Sequence, residues 1–222
     1  MTIESKSWNW KIVNANKERE WLLPSQEVYY LIDRWKTLNK KSVLDLGCGI
    51  GRHALLFSKR GFNTYGLDLS EDAIMKAKAY SDINNAKIEY VVADMLNLPY
   101  GSQTMDAVFA YYSISHTDTS GVIRILEEIR RILTINGECY LTFGSKDSWG
   151  YKEEWPIVDD NTKIRLEDGP DNGVPHFFAD SELIYNLFEK YEIIDLRQIQ
   201  RIENENDIIK SHHHYHVLAK KK

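Results

Sequence analysis

The chain has 222 residues, 43% hydrophobic and 27% charged, which describes a globular protein and excludes wholesale disorder. With 28 basic and 33 acidic residues the net charge is −5, and no basic stripe stands out, so a nucleic-acid partner is disfavoured. The mean hydropathy is −0.45, no apolar run approaches membrane-spanning length, and MTIESKSWNWK lacks the pattern of a signal peptide, so a cytoplasmic protein without a membrane partner is expected.

Ser25 to Leu38 reads as a helix, with Val28, Leu31, Ile32 and Trp35 at helical spacing and Ser25 as a candidate cap. Ser42–Leu46 is a short buried-strand pattern that runs into Gly47–Gly51, followed by a helix from Arg52 to about Arg60. Phe62–Leu67 is a second strand, and Ser70 with Glu71 and Asp72 caps a helix after it. Ala86–Val92 and Asp106–Tyr111 read as strands three and four, and Gly121–Leu133 as a helix with Ile123, Leu126, Ile129 and Leu133 on one face. Asn136-Gly137 reads as a turn before a fifth strand, Glu138–Phe143. Residues 144–179 lose the alternation, and an irregular stretch of that length is usually functional or hides short elements. Ser181–Lys190 is a helix capped by Asp180 or Ser181, and Tyr191–Arg201 and Ile208–Lys220 close the chain as strands joined by a polar turn at Ile202–Asp207.

Strands alternating with helices predict an α/β fold, a mostly parallel seven-stranded sheet with helices on both faces. The last two strands lack a helix between them and so form an antiparallel hairpin, with the reversed strand expected at the edge. Ligands in such sheets sit at the carboxyl ends of the strands. There the first strand ends Asp45-Leu46-Gly47-Cys48-Gly49-Ile50-Gly51-Arg52. Alternating glycines allow a tight turn and a close ligand approach. Arg52 stands where the NAD fingerprint needs its third glycine, and Asp45 would repel a pyrophosphate while suiting a cationic amine. Asp68 ends the second strand, where an acid can accept both hydroxyls of a ribose. Asp94 ends the third, where it can accept from an adenine amino group beside the apolar Met95.

With these residues in place, the sequence resembles the class I S-adenosylmethionine-dependent methyltransferases. The stretches VLDLGCGIGRH, TYGLDLS, VVADMLNLPY, MDAVFAYYSISH and EIRRILTINGECYLTF carry the likeness in order over residues 42–143. The resemblance implies a Rossmann-like sheet of order 3-2-1-4-5-7-6 with the last strand antiparallel. It implies that S-adenosyl-L-methionine, leaving as S-adenosyl-L-homocysteine, is held by Asp45, Gly47, Cys48, Gly49, Arg52, Asp68, Leu69, Asp94, Met95 and the backbone near Ala110. A single domain is expected, with a cap segment at 1–40, a donor-binding core at 41–143, a lid-like insertion at 144–179, and a helix and hairpin at 180–222.

Methyl transfer is an in-line displacement whose leaving group is already activated by charge. The protein must align the partners and exclude water, and a base is needed only for a proton-bearing nucleophile. The catalytic candidates are Tyr111 and His116 after strand four and His176 in Val174-Pro175-His176-Phe177-Phe178. Trp21, Tyr112, Trp149 and His214 are candidates for the acceptor's walls, since aromatic surfaces exclude water and hold planar or cationic groups. His212, His214 and His216 share a strand face, but no acid has a ligand-like spacing nearby, so no metal is expected. Two cysteines, Cys48 and Cys139, make no disulfide framework. A small-molecule acceptor is favoured. A protein or RNA acceptor is the alternative, although Ala-Tyr-Tyr-Ser replaces the Asn-Pro-Pro-Tyr type of tetrapeptide after strand four. A non-catalytic donor-binding protein is another alternative, and a NAD-linked oxidoreductase is disfavoured by Arg52.

Overall fold

A computed structural model describes residues 5–13, 19–205 and 208–222. Of the turn expected at Ile202–Asp207, residues 202–205 are strand instead, paired with the last strand, and residues 206–207 lie outside the described residues, as do residues 1–4 and 14–18 of the cap segment. Helix α1 (Glu27–Thr37) buries Val28, Leu31, Ile32 and Trp35 along one stripe. Its cap is not Ser25: Gln26 holds that position without a side-chain bond, and Ser25 donates its backbone N–H to His53 Nε2 at 3.1 Å.

The core then alternates strand and helix as the apolar pattern requires: β1 (Ser42–Leu46), α2 (Arg52–Lys59), β2 (Asn63–Asp68), α3 (Glu71–Ile83), β3 (Ile88–Val92), β4 (Met105–Ala110), α4 (Thr119–Ile132) and β5 (Leu133–Ser145). Ser70 Oγ caps α3 by accepting from the Ala73 amide at 3.2 Å. Asp118 caps α4 by accepting from the Gly121 amide at 2.7 Å, so the helix starts two residues before the expected Gly121; its buried stripe is Val122, Ile125, Leu126, Ile129 and Ile132, whereas Ile123 is exposed and Leu133 belongs to β5. Asn136-Gly137 is no turn between elements. Leu133 pairs with Met105 before it and Glu138 with Ala107 after it, so β5 runs through as one strand with a local irregularity.

After β5 come α5 (Trp149–Lys152), β6 (Ile157–Asp159), β7 (Thr162–Ile164), β8 (Pro175–Ala179), α6 (Ser181–Leu187), β9 (Tyr191–Glu205) and β10 (Ile208–Lys221). The main sheet runs β3-β2-β1-β4-β5-β10-β9, which is the order 3-2-1-4-5-7-6 when the closing strands are counted as six and seven. Strands β1 to β5 are parallel, and β10 is antiparallel to both of its neighbours. The reversed strand is therefore interior rather than at the edge. Burial explains the choice: Tyr215, Val217, Leu218 and Ala219 of β10 are buried, whereas β9 is mostly polar and exposed. The insertion is not structureless. Strands β6, β7 and β8 form a small antiparallel sheet, joined to the main one where β8 pairs in parallel with Gly144 and Ser145 of β5.

Both faces of the central strands are covered, which is why their sequences are almost continuously apolar. Leu44, Leu46 and Val108 pack toward α4 with Val122, Ile125 and Ile129. Val43, Ala107 and Phe109 face the other way, with Leu31, Trp35 and Phe57 of α1 and α2. A buried carboxylate locks α1 to β5: Glu138 accepts from Arg34 Nε and Nη2 at 2.9 and 2.8 Å, and from Trp35 Nε1 at 3.0 Å.

Candidate functional site

The carboxyl ends of β1, β2, β3 and β4 open on a cavity of about 600 Å³. Its floor is the glycine loop. Gly47 and Gly49 have φ of +70° and +53°, a region L side chains rarely adopt. A Cβ at Gly47 would stand 2.3 Å from Ser113 Cβ, so both conformation and space require glycine there. The Gly47 and Cys48 amides donate to Leu67 O at 2.7 and 2.9 Å, and the Gly49 amide donates to Asp68 Oδ2 at 2.8 Å. Asp68 also takes the Ser70 amide on Oδ1 at 2.9 Å and remains 8% exposed. Burial raises its carboxyl above the usual carboxylate range, and the loop amides oppose the rise. Asp94 receives the Leu96 amide and Ser5 Oγ, both at 2.9 Å, and Met95 lines the wall beside it.

Of the expected donor residues, Gly47, Cys48, Gly49, Arg52, Asp68, Leu69, Asp94 and Met95 line this cavity. Asp45 and Ala110 do not. Asp45 alternates with Leu44 and Leu46, so it shares the face of Val43 and looks toward α2. There it is 2% exposed and accepts from the Ala54 amide at 2.9 Å. Burial pushes its carboxyl up to about 7. The residue expected to meet the methionine ammonium instead supports the start of α2 from beneath. Ala110 is fully buried in the core behind the wall.

The roof is aromatic. Trp8, Trp10 and Trp21 cluster with ring centroids 5.7–5.8 Å apart, and the Trp10 ring lies against Gly49. Lys76 Nζ holds the carbonyls of Trp10 and Val13. The Asn9 amide donates to Pro170 O at 2.7 Å and Lys6 Nζ to Gly173 O at 2.9 Å. The two irregular segments, 5–13 and the insertion, thus meet above the cavity.

Beyond Trp8 and His116 lies a second cavity of about 210 Å³. Trp8, Tyr112, His116, Arg165 and Asp171 line both. The second is further walled by Trp149, Trp155, His176, Phe178, His212 and His214. Three histidine-bearing segments far apart in sequence converge here. The His116 and His176 rings are 5.0 Å apart, and Tyr112 and His214 are 4.4 Å apart. Trp8 Nε1 donates to His116 Nε2 at 3.3 Å. Burial pulls the His116 imidazole down to about 4 and His214 to about 3, and it holds His176 well below its ordinary value, so all three are neutral at pH 7.

Tyr111 lines the larger cavity between His53 and Tyr112, and burial raises its phenol so that it stays protonated. Trp21 is on the larger cavity rather than the smaller, whereas Trp149 and His214 are on the smaller. His216 lines neither cavity; its Nδ1 is 2.6 Å from the Tyr140 hydroxyl. Among the described residues no three His, Cys, Asp or Glu side chains are placed to hold a metal ion. Sequence reasoning missed Arg165 and Asp171, which pair at 3.1 Å, and Arg201 and Glu203 of β9 at the cavity rim. None of the four belongs to a motif.

Comparison with known proteins points the same way. A family model described as a methyltransferase domain matches residues 43–137. The malonyl-[acyl-carrier protein] O-methyltransferase of Hamiltonella defensa is 30% identical over 139 residues, 61% of this chain and 51% of that protein. The chain spans about half the length of the curated relatives it matches first. Among solved structures, a Pyrococcus horikoshii protein superposes with a TM-score of 0.68 at 21% identity, covering 96% of this chain and 98% of that one. A SAM-dependent methyltransferase of Methanosarcina mazei gives 0.66 at 22% identity, covering 82% and 92%.

Proposed function

We propose that the chain is a class I S-adenosylmethionine-dependent methyltransferase, a reading supported by the methyltransferase-domain match over residues 43–137, and that it transfers a methyl group to a small-molecule acceptor held in the smaller cavity. The observation that carries this reading is the join between the two cavities: the glycine loop, Asp68 and Asp94 open on one, and the aromatic, histidine-rich one continues from it past Trp8 and His116.

The residues present fit the donor. A volume of about 600 Å³ lies within the ordinary range for nucleotide-sized ligands. Asp68 has acceptor capacity left after its two backbone bonds, for a ribose. Asp94 with Met95 suits the adenine, and the backbone of Gly47–Gly49 suits the methionine end. When bound, the donor supplies a sulfonium methyl already activated for displacement. The chain's own work is alignment and exclusion of water: Trp8, Trp10 and Trp21 cover the loop, and segment 5–13 is tied to the insertion across the opening. The small volume of the second cavity, about 210 Å³, and the absence of a basic stripe favour a small acceptor over a polymer.

Calorimetric titration tests the donor half: S-adenosylhomocysteine should bind and NADH should not, and NADH binding alone would refute it. For the acceptor half, radiolabelled donor is incubated with a cell extract split by size. Label should enter the small-molecule fraction, and label confined to protein or nucleic acid would refute the reading.

A further inference from the structure

We propose that the acceptor is an uncharged aromatic compound of one or two rings carrying a proton-bearing nucleophile, a phenolic hydroxyl or ring N–H, and that His176, oriented by Asp171, takes that proton during methyl transfer. This rests on the reading of the smaller cavity as the acceptor site.

The first support is electrostatic. The cavity wall contains one arginine and one aspartate, and the arginine's charge is already paired with two carboxylates: Arg165 Nη1 is 3.1 Å from Asp171 Oδ2, and Arg165 Nη2 is 3.0 Å from Glu167 Oε2. The four histidines of the wall, His116, His176, His212 and His214, are all shifted toward the neutral form by burial. A carboxylate or phosphate would meet an arginine whose charge Asp171 and Glu167 already balance. A cationic acceptor would face the donor's sulfonium through a low-dielectric wall. The second support is shape: Trp8, Tyr112, Trp149, Trp155 and Phe178 present ring surfaces, and about 210 Å³ is below the range of drug-sized sites.

The third support is the His176–Asp171 pair. His176 Nε2 lies 3.5 Å from Asp171 Oδ2, is buried and has no aligned hydrogen bond. A modest approach of the two lets the carboxylate accept Nε2–H and leaves the Nδ1 lone pair for the substrate. As the acceptor's lone pair forms the new bond to the methyl carbon, the C–S bond breaks and its electron pair stays on sulfur. The proton, acidified by that bond formation, passes to His176 Nδ1. The positive charge moves from sulfur to an imidazolium beside Asp171, so the net charge within the site does not change. A weakly basic imidazole suffices, because the proton leaves a nucleophile that is becoming cationic. The groups facing His176 are His116 from the segment after β4, Asp171 and Arg165 from the insertion, and His214 from β10.

The test uses the complex with S-adenosylhomocysteine and two isosteric probes, 2-naphthol and 2-naphthoate. Calorimetry should show naphthol binding at least tenfold more tightly than naphthoate, and His176→Ala should weaken naphthol binding about three- to tenfold. With tritiated donor, transfer to a panel of phenols and azoles should be found. His176→Ala should lower the rate about 10²–10⁴-fold, and free imidazole should restore part of it. Asp171→Asn, a positioning change, should shift the acid limb of the pH–rate profile. Tighter naphthoate binding, no transfer to any panel member, or a His176→Ala rate within twofold of the parent overturns the proposal. Failure of S-adenosylhomocysteine itself to bind counts instead against the donor reading.

Discussion

Replacing Asp68 separates the donor site from the fold that carries it. The carboxylate holds the Gly49 and Ser70 amides at 2.8 and 2.9 Å and is the group proposed to accept both ribose hydroxyls. A hydrogen bond to a charged acceptor contributes about 1.5–3 kcal/mol, so losing two amounts to roughly 3–6 kcal/mol. At about 1.4 kcal/mol per tenfold, Asp68→Ala should weaken S-adenosylhomocysteine binding about 10²–10⁴-fold. The alanine also orphans two largely buried amides, at about 1–3 kcal/mol each, and should lower unfolding stability by about 2–6 kcal/mol. Asp68→Asn keeps one acceptor oxygen for the loop, so it should recover much of the stability while still losing affinity. Calorimetry measures the binding and urea unfolding the stability. A folded Asp68→Ala protein with a Kd within threefold of the parent would refute the ribose assignment.

Asp45 gives a pH-dependent prediction. Its folded pKa is raised to about 7 from 3.8, so its contribution to stability is complete below about pH 4 and is lost as pH rises to about 7. Asp45→Asn, which keeps an acceptor for the Ala54 amide, should therefore gain stability relative to the parent between those values and level off above them. A difference flat with pH would show the burial argument to be wrong. Glu138→Ala breaks the buried bond to Arg34 and Trp35 and should cost about 3–5 kcal/mol in urea unfolding, with S-adenosylhomocysteine affinity unchanged within twofold.

The sheet through β5 was legible because its strands are buried on both faces and its helices carry a single apolar stripe. The order of the closing strands came from the family resemblance, and local pattern alone had put the reversed strand at the edge. The insertion was illegible because β6 and β7 have three residues each and are held by pairing with each other and with β8. Arg165 and Asp171 reach the site through that small sheet and its loops, so no local spacing announces them. The histidines were visible as unusual residues, but their convergence needed the fold: His116, His176 and His214 meet only because β8 and β10 flank the end of β5. At Asp45 the motif and the strand point to different places. Its place in the motif suggested a ligand contact, while the strand's alternation turns its carboxylate under the loop.

A crystal structure of the complex with S-adenosylhomocysteine tests the two-cavity arrangement most directly. The ribose should lie on Asp68 and the adenine beside Asp94 and Met95, with the sulfur facing the smaller cavity past Trp8 and His116. A ligand bound elsewhere, or a sulfur turned away from that cavity, would contradict it.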